Sequence, residues 1–322
     1  MERLIIHHWD TDGICSAAIL IRNLDGEAKT VTPQIGNYFL TDGEINAYLS
    51  YDEIYIVDMA LPESNIRQLA KNAKVTIFDH HIQKPIDGIY HINPVAHGAL
   101  QKDYPCATWV LKEHFDEEVE LLVILGIIGD NEQKIKENKR FYEIVQEFCK
   151  KLSTEFDDLV KAVYLIDSNY KLGRKEEVER LPWILEDMSI ESILSNGEWN
   201  RNLRALDEEV EKIVNNRDLR IKKNSTMIVD ISIPYNNISA ITRKLAWSTG
   251  ENVVVINRGF FEDRDQIYVR SSRMNLNDLI NKIKQLGYNA GGKESVMGAI
   301  VPKNKTEEVI NNITEFFEGE VW

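Results

Sequence analysis

The chain is 322 residues long, 43% hydrophobic and 28% charged, with a formal net charge of −14 at pH 7. That length exceeds what one core usually organises, so two are expected, and no run reaches the ~18–20 uninterrupted apolar residues of a membrane span. Acidity on this scale repels long duplex nucleic acid unless basic residues are gathered locally.

Residues 4–6 open the chain as an apolar strand that runs through His7 and His8 into Trp9-Asp10-Thr11-Asp12-Gly13, an Asp-x-Asp-Gly turn. A second apolar strand, 54–57, ends in Asp58; a third, the β-branched run 75–78, ends in Asp79-His80-His81. A buried strand has no packing reason to finish in groups that are costly to desolvate, whereas a metal site at the C-terminal edge of a sheet needs such groups on a rigid support. A fourth element, the apolar run 121–128 closed by Gly129 and Asp130, brings a fifth acid. A run this short does not decide between strand and buried helix.

Five carboxylates (Asp10, Asp12, Asp58, Asp79, Asp130) and three imidazoles (His8, His80, His81) exceed what one ion requires. Two ions sharing a bridging carboxylate is the economical reading. Oxygen and imidazole donors without thiolate suit Mn²⁺ or Mg²⁺, and a pair roughly 3.5–4 Å apart can hold both the attacking and the leaving oxygen of a phosphoryl transfer. The chemistry suggested is phosphate ester hydrolysis. Strand alternation puts His7 on the face opposite His8, as a core or supporting residue, while Trp9 is expected to pack against a lid or the second domain. His97 and His114 read as loop and helix-surface residues.

Residues 1 to about 130 alternate strand and helix patterns, as a parallel sheet with crossover helices does. Helix signals dominate from 134 to 223; within them 179–188, with Pro182, reads as a turn-rich cap, and 199–223 as one long charged helix. A new pattern starts at 226: strand 227–231, helix 238–249, strands 252–256 and 266–270, helix 276–286, a glycine turn, strand 296–301 and a final helix. The expected fold is α/β: a parallel-sheet N-terminal domain (1–198), a linker helix (199–224) and a smaller C-terminal domain with a mixed sheet (225–322). A cut after residue 224 leaves 27 basic and 40 acidic residues before it and 11 and 12 beyond, so the second part is the friendlier surface for phosphates. There Gly291-Gly292 would let backbone N–H groups approach an anion, with the charge of Lys293 beside them; the plainer reading is a turn. Arg270 ranks ahead of Arg273 as a second phosphate contact. Cys15, Cys106 and Cys149, odd in number and set in apolar or helical contexts, suit a reducing compartment. With no leader pattern ahead of the first strand, the expected location is cytoplasmic.

Taken in order, these motifs resemble those of the DHH phosphoesterase superfamily, whose members include RecJ-type single-strand exonucleases, short-oligonucleotide and cyclic-dinucleotide phosphodiesterases and manganese-dependent pyrophosphatases. His8 to Ala17 is similar to the first motif, Asp58 to the second, Asp79-His80-His81 to the third and Gly129-Asp130 to the fourth; Ile92-Asn93-Pro94 also matches a stretch many members carry. Residues 291–299 resemble the Gly-Gly-His motif of the DHH-associated substrate-binding domain, with Lys293 where most relatives have histidine, and Arg270-Ser271 resembles the pair preceding it. The resemblance implies that His8, Asp10 and Asp58 hold one ion and Asp12, Asp58, His80 and Asp130 the other, with Asp58 bridging. It further implies that His81 faces the scissile phosphate, that Asp79 orients a neighbouring imidazole, and that Arg270, Ser271, Gly291, Gly292 and Lys293 bind substrate in a cleft between the domains.

The Asp-x-Asp-Gly form is closer to the RecJ-like branch. The leading expectation is a phosphodiesterase or exonuclease, dependent on two divalent cations (Mn²⁺ first, then Mg²⁺ or Co²⁺), that degrades short or single-stranded RNA or DNA to mononucleotides with water as nucleophile. Two alternatives stand beside it. One is a small-molecule phosphoesterase acting on a cyclic dinucleotide or a nucleotide 3′-phosphate; the other is a catalytically silent relative that binds a replication or repair protein.

Overall fold

The computed structural model describes residues 1–223 and 225–319, which form two compact units: Met1–Tyr170 with Arg174–Leu203, and Lys171–Gly173 with the described residues from Arg204 onward. In the first unit β1 (Arg3–His7), β2 (Lys29–Val31), β3 (Glu53–Val57), β4 (Lys74–Phe78) and β5 (Tyr90–Ile92) make a sheet that is parallel throughout, in the order β2-β1-β3-β4-β5. Helices α1 (Thr11–Asn23), α2 (Asp42–Tyr48) and α3 (Glu63–Leu69) are the crossovers after β1, β2 and β3. Leu4, Ile5, Ile6 and His7 are all buried, because a parallel sheet is covered on both faces and its central strands are apolar without alternation.

The strand order places the site. From β1 the chain moves outward to β2, then returns to the other side of β1 for β3. Connections diverge at that point, and α/β sheets bind ligands at such a switch point, outside the C-terminal ends of the strands, here β1 and β3.

Helices α4 (Ala107–His114), α5 (Leu121–Asn131), α6 (Lys139–Leu152), α7 (Phe156–Lys171), α8 (Lys175–Leu185) and α9 (Ile190–Leu194) complete the unit. The segment that periodicity left open is therefore the helix α5. Residues 122–128 of it are all buried and it packs on α1 and α4; a helix apolar on every side belongs in an interior. The expected turn-rich stretch around Pro182 is instead part of α8. An internal proline costs about 3 kcal/mol. Val178, Leu181 and Leu185, buried on a helix packed against α1, offset it at roughly 1.5–3 kcal/mol each.

The long helix α10 (Gly197–Asn215) stops eight residues before the expected 223. The Asn216 side chain accepts from Asp218 N at 3.0 Å, an Asx turn that competes with helix continuation, and after a single 3₁₀ turn the chain becomes strand β6 (Arg220–Lys223). Asn224, the last residue of the expected linker, lies outside the described residues. The boundary between the units falls within α10, at Leu203 and Arg204.

In the second unit β6 joins β7 (Thr226–Ile231), β8 (Asn252–Asn257), β9 (Arg264–Arg270), β10 (Asn289–Lys293) and β11 (Val296–Pro302) in a mixed sheet of order β10-β11-β9-β8-β7-β6, with β7 and β8 parallel and the other neighbours antiparallel. Helix α11 (Ile238–Thr249) covers one face through Ile241 and Leu245. Helices α12 (Asn277–Gln285) and α13 (Thr306–Glu318) cover the other, where Val269, Met297 and Val301 meet Ile283 and Ile313. The expected glycine turn is not a turn. Gly291 and Gly292 lie inside β10, and the hairpin closes through Glu294 and Ser295, between the paired residues Lys293 and Val296. Among the described residues no helix is long and apolar enough to cross a membrane.

Candidate metal centre

Strands β1, β3 and β4 each hand over a candidate site residue while the ladder still holds it. His8 N donates to Val57 O at 3.2 Å, Asp58 N to Phe78 O at 2.9 Å and Asp79 N to Ile92 O at 3.1 Å, so these residues extend the sheet by one rung. Asp58 does so in the left-handed region, at φ +58°, a conformation an ordinary L-residue adopts only where its surroundings impose it. Gly13 folds the first loop back on itself: a Cβ there would lie 2.5 Å from His8 Cβ and 2.6 Å from His8 O. Asp10 caps α1 by accepting from Gly13 N at 3.2 Å.

The acids and imidazoles from β1, β3, β4 and α5 meet at this edge. Three overlapping sets, His8–Asp10–Asp58, Asp12–His80–Asp130 and Asp58–His80–His81, each bring one donor atom per residue within 4.8 Å of the others. Asp58 faces two ways. Its Oδ2 lies 3.7 Å from His8 Nδ1, and its Oδ1 lies 3.5 Å from His80 Nε2 and 4.0 Å from His81 Nδ1. His80 Nε2 is also 3.1 Å from Asp130 Oδ2, and His8 Nδ1 is 2.8 Å from Asp10 Oδ2. Despite this proximity both nitrogens of His8, Nε2 of His80 and Oδ1 of Asp58 are buried without a hydrogen-bond partner. Orphaned buried donors and acceptors are rare in folded proteins, and a divalent cation satisfies such a set.

Electrostatics agrees. Burial, then the neighbouring charge of Asp12, pushes the Asp58 carboxyl well above the usual carboxylate range; burial and Asp130 push Asp12 up to about 6. Burial would pull His80 down, but Asp130 and Asp58 outweigh it and hold the ring well above the usual imidazole value. Carboxylates gathered this closely cannot all be charged unless protons or cations sit among them. Asp130 adds to the imbalance, being an acid in the last turn of α5, where the helix dipole disfavours negative charge. The donors are oxygen and imidazole. Cys15 and Cys106, buried, have their thiols pushed well up by that burial and then by Asp12, so they stay protonated and outside the set.

Supporting contacts fix the orientation of these groups. His80 Nδ1 lies 3.3 Å from Tyr104 O; donating there leaves Nε2 as the free lone pair that a ligand requires. Asp79, fully buried, takes His81 Nδ1–H at 2.7 Å and His80 N at 2.9 Å, and His81 is left half exposed at the rim. Asn93 Nδ2 holds His81 O at 2.9 Å. Asp12 does double duty: its oxygens accept from Ala107 N at 2.7 Å and Thr108 N at 3.1 Å, at the start of α4, and a carboxylate has lone pairs left beyond these two. Gly126 makes this possible, since a Cβ there would lie 2.5 Å from Asp12 Oδ1 and 2.1 Å from Thr108 Oγ1.

Two residues escaped the sequence reading. Asp167 on α7 accepts from Thr11 Oγ1 at 2.7 Å and Thr11 N at 3.1 Å, tethering the first loop from 156 residues away. Tyr38, more than half exposed, stacks on His8 with ring centroids 5.9 Å apart, and buried Trp9 packs against Tyr38 at 5.2 Å, within its own unit. Neither pair is close in sequence, so periodicity carries no trace of them. His7 is buried and faces away, with Nδ1 2.7 Å from His8 O. His97 and His114 are exposed.

The residues expected to hold substrate are gathered in the second unit at neighbouring strand ends. Arg270 pairs with Val296, which pairs with Lys293, across β9, β11 and β10. Gly292, at φ +154°, could not carry a Cβ, which would sit 2.0 Å from Val296 O; at Gly291 a Cβ would meet nothing within 4 Å. Ser271 follows Arg270 directly, at the end of β9. Its buried hydroxyl donates to Asn252 Oδ1 at 2.8 Å and accepts from Arg273 N and Met274 N, so it staples the turn after β9.

A parallel sheet that converges acids and imidazoles at the β1/β3 switch point, followed by a smaller mixed-sheet unit, defines the class. Residues 3–138, all within the first unit, match the family described as DHH family, N-terminal domain. The fold is shared with solved structures at low identity. The exonuclease RecJ bound to manganese is 16% identical with a TM-score of 0.69, over 99% of this chain and 91% of that one. RecJ from Thermus thermophilus in complex with Mn²⁺ is 17% identical with a TM-score of 0.69, over 98% of this chain but only 52% of its own length. PggH, a pGpG-specific phosphodiesterase from Vibrio cholerae, is 15% identical with a TM-score of 0.55, over the full length of both chains. No curated protein matches in sequence.

Proposed function

We propose that the protein is a Mn²⁺-dependent phosphodiesterase or exonuclease that hydrolyses short or single-stranded nucleic acid to mononucleotides. The observation that carries this reading is the two-sided Asp58 carboxylate, one oxygen turned to the His8–Asp10 set and the other to the His80–Asp130 side. His8, Asp10 and Asp58 would hold one cation and Asp12, Asp58, His80 and Asp130 the second. When bound, such a pair neutralises phosphate charge and acidifies the attacking water. The protein's own groups do the rest. Asp79 accepts from His81 Nδ1–H and, against the pull of burial, holds the ring above the usual imidazole value, so that the doubly protonated ring would give its Nε2 proton to the leaving oxygen at the exposed rim. Arg270, the backbone of Gly291 and Gly292, and Lys293 hold the phosphate chain, so the first unit is catalytic and the second grips substrate. Mn²⁺ ranks ahead of Mg²⁺ because imidazole belongs to both donor sets.

End-labelled RNA and DNA oligomers of graded length, incubated with Mn²⁺, test the reading. Stepwise release of mononucleotides is expected. Inertness on anything longer than two nucleotides would turn the assignment to a small-molecule phosphoesterase, a reading the shared fold of a pGpG-specific phosphodiesterase keeps in view. Asp58→Ala and His81→Ala are expected to abolish Mn²⁺-stimulated hydrolysis of a generic aryl phosphodiester; metal binding without any hydrolysis by the unaltered protein would leave only a silent, partner-binding relative.

A further inference from the structure

We infer that Trp247, with Arg243 and Arg270, forms a nucleobase-stacking platform on the second unit, which deepens the phosphodiesterase reading and rests on it. Trp247 is 72% exposed, whereas Trp9, Trp109 and Trp199 are at most 6% exposed. It sits on α11, one turn beyond Arg243, and two guanidiniums approach its ring: Arg243 Cζ at 5.5 Å from the centroid and Arg270 Cζ at 5.8 Å. The first comes from the same helix. The second comes from the end of β9, on the sheet that α11 packs against, so the grouping is tertiary rather than a local helix pair. A large, exposed aromatic has no folding reason to stand at the surface, and cations gathered around it suit a ligand that is electron-rich and flat and brings negative charge with it.

The surroundings fit such a ligand. Arg270, Val296 and Lys293 are direct neighbours on adjacent antiparallel strands, so their side chains share one face of the sheet, the face α11 occupies over β8 and β9. Beyond α11 that face is floored by Gly298 and Gly291, paired with each other, and Gly291 has no steric need to be glycine. Close approach by a ligand is one reason a strand keeps a glycine that its backbone does not require. Trp247 thus stands against Arg270, from which the strand register leads across the same face to Lys293 and the paired glycines. The chemistry is that of an aromatic base with phosphates on either side, and the base must be unpaired, because a stacked face is available only in a single strand.

The test is equilibrium binding of the full chain in EDTA, where hydrolysis is stopped. Fluorescence anisotropy is measured with a labelled eight-nucleotide single-stranded DNA and with an abasic strand of the same length and charge. Stacking on one aromatic predicts that Trp247→Ala weakens the base-bearing strand by roughly 5- to 150-fold. Trp247→Phe should recover most of that loss, and the abasic strand should bind both variants as it binds the original protein, within about twofold. Equal affinity of the original protein for the two strands, or an equal loss on both in Trp247→Ala, would overturn the platform. Mn²⁺-dependent cleavage by a protein whose binding ignores Trp247 removes the platform and keeps the hydrolase. Base-dependent binding without cleavage does the reverse.

Discussion

The two sets of strand ends proposed to carry function in this chain are built by opposite means. At the β1/β3/β4 edge of the first unit, function is an excess: buried acids and imidazoles with unmet hydrogen-bonding capacity, crowded until their own charges oppose one another. At the β9/β11/β10 edge of the second, the proposed substrate site is largely a subtraction, where glycines leave space and long cations reach in from neighbouring elements. A site for a compact, strongly charged ion can be carried by fixed short side chains, whereas a site for a long, variable polymer is better served by open backbone and flexible arginines.

Substitutions in each region probe the contrast, the largest effect first. Asp58→Asn removes the carboxylate shared by both sets; changes to residues that merely support metal ligands cost about 10- to 100-fold in affinity, and losing a bridging ligand should exceed that upper figure. The same change should stabilise the metal-free protein at neutral pH. A carboxyl whose folded pKa lies above its unfolded value makes stability fall as pH rises through that interval, and the amide is spared this loss. Thermal melts with EDTA and with Mn²⁺ read both effects: a higher Tm than the original protein without metal, and no rise on adding it. A lower Tm in EDTA would contradict the charge-crowding account.

Glycines separate the two regions next. Gly126→Ala drives a methyl into Thr108 and Asp12 and should cost about 1–3 kcal/mol by overpacking, seen as a lower urea midpoint. Gly291→Ala meets nothing and should leave stability within about 0.5 kcal/mol while weakening oligonucleotide binding. Equal destabilisation by the two would erase the distinction.

The smallest effect lies outside both sites. Arg22 Nε donates to Glu117 at 2.9 Å and Arg22 Nη1 to Glu120 at 2.7 Å, tying α1 to the segment between α4 and α5. Burial alone would raise the Glu117 carboxyl, but Arg22 and Asn23 hold it below its ordinary value. Its contribution is therefore present above the unfolded carboxylate pKa and fades as pH falls through the folded one. Glu117→Gln should cost less than about 1 kcal/mol at pH 7, and progressively less as pH falls below the ordinary carboxylate range, in denaturant titrations.

What the sequence determined by itself is the set of strand-terminal motifs and the α/β alternation, because both are written in near neighbours: an apolar run ending in His8 and Asp10, in Asp58 or in Asp79-His80-His81 declares its strand and its edge together. Helix 238–249 was equally legible from its period. Where competing signals were both local, the tertiary structure chose. Packing made 121–131 a helix and carried α8 through Pro182, while strand pairing at Lys222 and Lys223 ended what a charged helical pattern would have continued. Only the folded chain could bring Asp167 to Thr11, turn the two oxygens of Asp58 toward different partners, or set Arg270 over Trp247, because these depend on distances between elements far apart in sequence, which residue order does not encode one by one.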